Sequence, residues 1–86
     1  VSYGVVLFGA EWCRPCKAVR PLVVASCAVA DIAFDYVDVE TYDSRANDVT
    51  AVPTLRAYDE DGNVVAEHRG GMTAKQVDEF IGSLPA

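Results

Sequence analysis

Apolar positions along the chain come in short clusters, and their spacing switches between two periods. Val5-Val6-Leu7-Phe8 is a continuous apolar run between Gly4 and Gly9, the pattern of a strand buried on both faces. Val19, Leu22, Val23, Ser26, Cys27 and Ala30 then recur at helical spacing, which predicts a helix from about Arg14 to Val29. Pro15 falls in its first turn, where a missing N–H costs nothing. Pro21 lies inside the pattern, removes a backbone hydrogen bond and predicts a kink. Ile32 to Val39 is β-branched and aromatic and reads as a mostly buried strand. Phe34, Tyr36 and Asp38 share one of its faces, and Val37 and Val39 the other. Thr41 to Val49 is polar, with Tyr42, Ala46 and Val49 spaced for a short helix. Thr54–Tyr58 and Asn63–His68 flank Asp59-Glu60-Asp61-Gly62, a turn signal that predicts a β-hairpin. Thr73-Ala74-Lys75-Gln76 has capping-box spacing, and Val77, Phe80, Ile81 and Leu84 behind it form an amphipathic helical stripe.

The predicted order is β-α-β-α-β-β-α. A strand joined to the next by a helix implies a parallel pair with a right-handed crossover, and the closing hairpin adds antiparallel strands. The expected architecture is one α/β domain over residues 1–86: a four-stranded mixed sheet with helices on both faces. A chain of 86 residues buries roughly 60–65% of its unfolded surface, enough for one core. Half its residues are hydrophobic, which argues against disorder.

Charge narrows the partners. Seven Lys and Arg against 13 Asp and Glu leave a net charge of −6, so neither nucleic acid nor an anionic membrane surface is an expected partner. Uncharged stretches such as Pro21–Ala30 fall far short of the ~20 apolar residues that cross a bilayer. The chain opens at Val1 without a basic and apolar leader, so no export signal is read.

Three cysteines allow at most one intrachain pair. Cys13-Arg14-Pro15-Cys16 is too tight a spacing to staple distant segments, which points to chemistry rather than scaffolding. Cys13 stands at the junction of a buried strand and a helix. There, free N–H groups and the macrodipole favour negative charge, so its pKa is expected below the free value of ~8.5. Arg14 adds a local cation that favours the Cys13 thiolate, and Pro15 stiffens the first turn. Cys16, about one turn on, can attack a mixed disulfide at Cys13 and release the product thiol. Zinc is not expected, because only Cys27 and His68 remain as further ligands and structural zinc takes four. Cys27 lies ~21 Å along the helix from Cys13 at 1.5 Å per residue, too far for a disulfide or a shared metal. It shares a stripe with Val19 and Val23 and is expected as a buried, inert thiol. His68 is expected as an exposed residue at a strand end.

Ala10-Glu11-Trp12-Cys13-Arg14-Pro15-Cys16-Lys17 resembles the active-site signature of the thioredoxin family, W-C-G-P-C-K. Pro21 stands where the family carries a helix-kinking proline. Val52-Pro53-Thr54 looks like the loop that holds a cis-proline against the disulfide. Asp61-Gly62 matches the hairpin turn, and Gly70-Gly71 before Thr73 looks like the glycine loop ahead of the last helix. The resemblance covers nearly the whole chain and implies a thioredoxin-like fold of minimal, glutaredoxin-like size, lacking the family's N-terminal strand and helix. It implies a protein-disulfide reductase with a redox-active Cys13–Cys16 disulfide and no other cofactor. Cys13 would attack and Cys16 resolve. Trp12, Arg14, Pro15, Val52, Pro53, Thr54 and Gly71 would support the site or bind substrate. Trp12 would pack at its rim, Val52 would offer backbone groups to an extended segment, and Gly71 would allow close approach. The implied partners are disulfide-containing proteins and a thioredoxin-reductase-like reductant, for a cytoplasmic monomer. A free third thiol at Cys27 also fits a reducing cytoplasm.

The sequence departs from the family pattern in three places. Leu7 stands where a buried Asp usually assists the resolving cysteine. Gly9 replaces a second aromatic. The Lys that often neighbours the Asp is absent, with Phe34 or Tyr36 nearby instead. Glu11 and water remain as candidates to take the proton of Cys16. Two other readings compete with the reductase. One is a glutaredoxin-like protein or a dedicated donor to an enzyme such as ribonucleotide reductase. The other is a non-catalytic thioredoxin-fold binding module. Trp12, Pro15 and Lys17 oppose the first, and the intact Cys13, Cys16 and Pro53 oppose the second.

Overall fold

Strand β1 (Gly4–Gly9) leads into helix α1 (Arg14–Ala30), then β2 (Ala33–Asp38), a 3-10 turn (Ser44–Ala46), β3 (Thr54–Tyr58), β4 (Val64–Arg69) and α2 (Ala74–Gly82). The structure is a computed structural model, and it describes residues 3–41 and 43–84. The strands form one mixed sheet in the order β2-β1-β3-β4. β1 runs parallel to β2, with Leu7 opposite Tyr36. It runs antiparallel to β3, with Leu7 opposite Leu55. β4 closes the hairpin on β3.

β1 is central, which is why its apolar run is continuous: Val5 to Phe8 are all buried. Val5 and Leu7 face one side, with Leu55 and Ala57 of β3. There they pack with Val19, Val23 and Cys27 of α1 and Val77 and Ile81 of α2. Val6 and Phe8 face the other side, with Val37. Both α-helices therefore lie on one face of the sheet, and helices do not cover both faces as expected, because the segment that would cover the other face forms a 3-10 turn at Ser44–Ala46. The helix expected over Thr41–Val49 is reduced to the 3-10 turn, and Ala46 and Val49 bring it against Phe8 and Val37. Tyr42, part of that expected stripe, lies outside the described residues. Asp43 starts that turn as its N-cap, accepting hydrogen bonds from the Arg45 backbone N–H and from the Arg45 guanidinium.

The expectation of a mostly buried β2 also changes. β2 is an edge strand whose Ala33 and Asp35 are exposed, while Phe34 and Tyr36 lean onto the α1 face. Helix α1 runs on through Pro21 to Ala30 and ends at Asp31 in the left-handed conformation (φ 56°). Of its predicted stripe Val19, Val23 and Cys27 are buried, whereas Ala30 is exposed. The hairpin turn is held by Asp59, whose carboxylate accepts the N–H groups of Asp61 and Asn63. Gly62 at φ +83° takes the conformation a side chain would resist. Thr73 and Gln76 form the reciprocal capping box at the start of α2.

Candidate functional site

The buried end of β1 and the first turn of α1 meet at Cys13. The chain turns through Ala10, whose carbonyl accepts the Cys13 N–H at 3.0 Å. Cys13 is the N-cap of α1, and its sulfur accepts the Cys16 backbone N–H at 3.3 Å. A sulfur is thus held where helix N–H groups converge, the position that favours a thiolate. Cys13 and Cys16 are joined as a disulfide, with Cα atoms 5.3 Å apart. Cys13 retains 5% of its exposure against 1% for Cys16. The more accessible sulfur is therefore the one at the cap.

Other predicted residues gather around this pair, and some do not. Val52 packs against the cluster of Ala10, Cys13 and Cys16. The Val52–Pro53 bond is cis. Pro53 is buried, and its carbonyl accepts the Gly70 N–H at 2.8 Å, which ties the glycine loop to the proline loop. Thr54 is buried and donates its hydroxyl to the Ala51 carbonyl at 2.7 Å, so it braces that loop from within. Gly70, at φ +95°, is the glycine whose conformation the backbone needs. Gly71 is exposed, and open space lies where its side chain would project. Arg14 and Pro15 are exposed on the first turn.

Trp12 is 70% exposed and so does not close the core. Its indole N–H donates to Glu40 Oε1 at 2.7 Å. With Val39, Val49, Thr50, Ala51 and Val52 it lines a shallow groove of about 390 Å³ beside the cysteines. Glu40 has no distinguishing signal in sequence; only the fold sets it beside an indole 28 residues away. Tyr36 is a second residue the motif does not mark, and Gly9 is where it meets the site.

The remaining titratable candidates stand apart. Cys27 is free and buried, and burial pushes its thiol pKa up. His68 is half-buried rather than exposed, because it stands opposite Leu55 in the β3–β4 ladder. Among the described residues no group of His, Cys, Asp or Glu could hold a metal ion. No described helix is long and apolar enough to cross a membrane.

A cysteine pair capping a helix, packed beside a cis-proline loop on a four-stranded mixed sheet, defines a dithiol–disulfide site of the thioredoxin-like fold class. The thioredoxin family model matches residues 2–83. Thioredoxin of Gallus gallus is 36% identical over 83 residues, covering 93% of this chain and 77% of that protein. Thioredoxin-2 of Saccharomyces cerevisiae is 33% identical over 85 residues, covering 95% and 69%. Among solved structures, a reduced thioredoxin of Schistosoma mansoni superposes with a TM-score of 0.80 at 31% identity, covering 94% of this chain and 77% of that one. A Plasmodium falciparum thioredoxin superposes at 0.83 with 25% identity, covering 98% and 83%. The chain belongs to the thioredoxin family.

Proposed function

We propose that this chain is a protein-disulfide reductase working as one domain over residues 1–86. The observation that carries this reading is the placement of the Cys13 sulfur at the α1 N-terminus, accepting the Cys16 N–H. In the reduced protein the Cys13 thiolate attacks a substrate disulfide. A Cys13–substrate bond forms, and the first substrate sulfur leaves as a thiolate. Cys16 then loses its proton and attacks Cys13. The Cys13–Cys16 bond forms and the second substrate sulfur leaves, so the substrate is reduced by two electrons and the protein oxidised by two.

The surrounding residues take supporting roles in this reading. The cation of Arg14 favours the Cys13 thiolate, and Pro15 holds the first turn. An extended substrate segment lies along Val52, Pro53 and Gly71 and against the Trp12 groove, with Thr54 bracing the loop. The open space at Gly71 and the apolar lining of the groove support that path. The reductant is a thioredoxin-reductase-like enzyme, and the setting is a reducing cytoplasm, which suits the free thiol of Cys27.

The test is coupled insulin reduction with either NADPH and thioredoxin reductase or NADPH and glutathione reductase as electron source. Turnover is expected with the first, and turnover only with the second would assign the chain to glutathione-linked chemistry. Cys13→Ser abolishes activity, and Cys16→Ser accumulates a covalent mixed disulfide with substrate. Cys27→Ala leaves turnover intact. Full activity in Cys13→Ser refutes the reading.

A further inference from the structure

Leu7 leaves the resolving cysteine without a carboxylate, and Gly9 shows what stands there instead. A Cβ built on Gly9 would lie 2.8 Å from the Tyr36 hydroxyl oxygen and 3.1 Å from Cys16 Cβ. The phenol and the resolving cysteine are thus neighbours across a residue with no side chain, and any larger residue would be forced between them. Tyr36 reaches this place because it pairs with Leu7 in the parallel β1–β2 ladder and leans onto the α1 face. From α1, the Arg20 guanidinium lies 4.2 Å over its ring. Beside them is a cavity of about 70 Å³ lined by Ala10, Glu11, Cys16, Lys17, Arg20 and Tyr36, with room for water.

The charged groups around the phenol set its protonation. Burial, Asp38 on its own strand and Glu11 from the β1–α1 turn push its pKa up, and Arg20 from α1 pulls it down. Lys17 lines the cavity from α1. The hydroxyl is therefore protonated near neutral pH and can donate a hydrogen bond but cannot act as a base.

We propose that the Tyr36 hydroxyl donates a hydrogen bond to the Cys16 sulfur as its thiolate forms, with Arg20 as the positioning residue that holds the ring. The inference rests on the dithiol-exchange reading and deepens it. The Cys16 thiol gives its proton to water in the cavity, and the phenol's hydrogen bond stabilises the sulfur anion. The thiolate attacks Cys13, the Cys13–Cys16 bond forms, the Cys13–substrate bond breaks, and the electron pair leaves on the substrate sulfur. Arg20 over the ring face draws electron density from the hydroxyl towards the ring and so strengthens the O–H as a donor.

Stopped-flow mixing of reduced Cys27→Ala protein with 5,5′-dithiobis-(2-nitrobenzoate) separates the two steps. The first release of thionitrobenzoate reports attack by Cys13, and the second reports resolution by Cys16. From pH 6 to 9, Tyr36→Phe is expected to slow the second release roughly tenfold near pH 7, the effect of one hydrogen bond to an ionised acceptor. It should move the midpoint of that release to higher pH and leave the first release unchanged. Arg20→Gln shifts the midpoint the same way by less. 3-Fluorotyrosine at position 36, nearly isosteric and more acidic, shifts it to lower pH, and this variant decides the matter if Tyr36→Phe fails to fold. Superimposable second-release profiles for wild type, Tyr36→Phe and the fluorotyrosine protein overturn the role of Tyr36 alone. A wild-type protein that gives no second release overturns the dithiol reading and this inference with it.

Discussion

Leu7 shows how one residue can alter a site without belonging to it. It is fully buried among Val19, Val23 and Leu55, so the position where the resemblance implies a carboxylate is hydrocarbon here. Putting the carboxylate back tests what the site tolerates. An Asp at position 7 would have its folded pKa raised above the unfolded value of about 3.9 by burial. The charge-dependent part of the penalty is then absent below that value. It grows as pH rises and levels off above the folded pKa. Leu7→Asp is expected to lose about 1–3 kcal/mol near neutral pH, and less at pH 4. Urea unfolding across that range checks it, and a pH-independent loss would mean that packing alone is responsible. Cys13 and Cys16 were legible as residues, because chemistry at a strand–helix junction constrains their type and spacing, and Pro53 was legible through the resemblance to the thioredoxin family. Glu40 was not, and Tyr36 was read only as one of two aromatics near the missing Lys, because a carboxylate or a phenol carries no local mark of what the fold sets beside it.

The elements differ in how much of their stability is local. Helix α2 carries its own start signal, a complete capping box in which Thr73 Oγ1 accepts the Gln76 N–H at 3.2 Å and Gln76 Oε1 accepts the Thr73 N–H at 2.8 Å. Thr73→Ala is expected to cost about 1 kcal/mol and to lower Tm by about 4–8 °C, as read by thermal unfolding. The second face of the sheet works differently. With no full helix over it, Arg56 of β3 closes it, 4% exposed and 5.3 Å from the Phe8 ring centroid. Its guanidinium bonds Glu67 of β4 and both carboxylate oxygens of Asp48. Beside Arg56, the Glu67 and Asp48 carboxyls are held below their ordinary pKa values. Their folded values lie below the unfolded ones, so this contribution is present above the unfolded range of about 3.9–4.3. It is lost as pH falls through the folded values. Arg56→Met is therefore expected to flatten the acid limb of a Tm profile from pH 7 to 2. An unchanged limb would assign acid sensitivity to other carboxylates, such as Asp43, which Arg45 holds at about 2.

At the scale of the whole molecule, the disulfide contributes chemistry more than scaffold. It spans a sequence separation of 3, so chain-entropy closure gives it no more than about 2 kcal/mol, and stabilisation of the reduced Cys13 thiolate at the helix cap offsets part of that. Urea unfolding with and without dithiothreitol is expected to show the oxidised protein more stable by less than about 2 kcal/mol. A larger gap would make the bond a structural staple. The element order, the central buried strand, the hairpin, the capped last helix and the cysteine pair at a helix start could all be read along the chain. Each of these follows from period, turn chemistry or local spacing, which act over a few residues. Long-range packing set both α-helices on one face, made β2 an edge, and left the segment after it with a single 3-10 turn. It also brought Glu40 to Trp12 and Tyr36 to Gly9. Those outcomes depend on which strands become neighbours in the β2-β1-β3-β4 order. That order follows from burial summed over the whole sheet, which no short stretch of chain encodes.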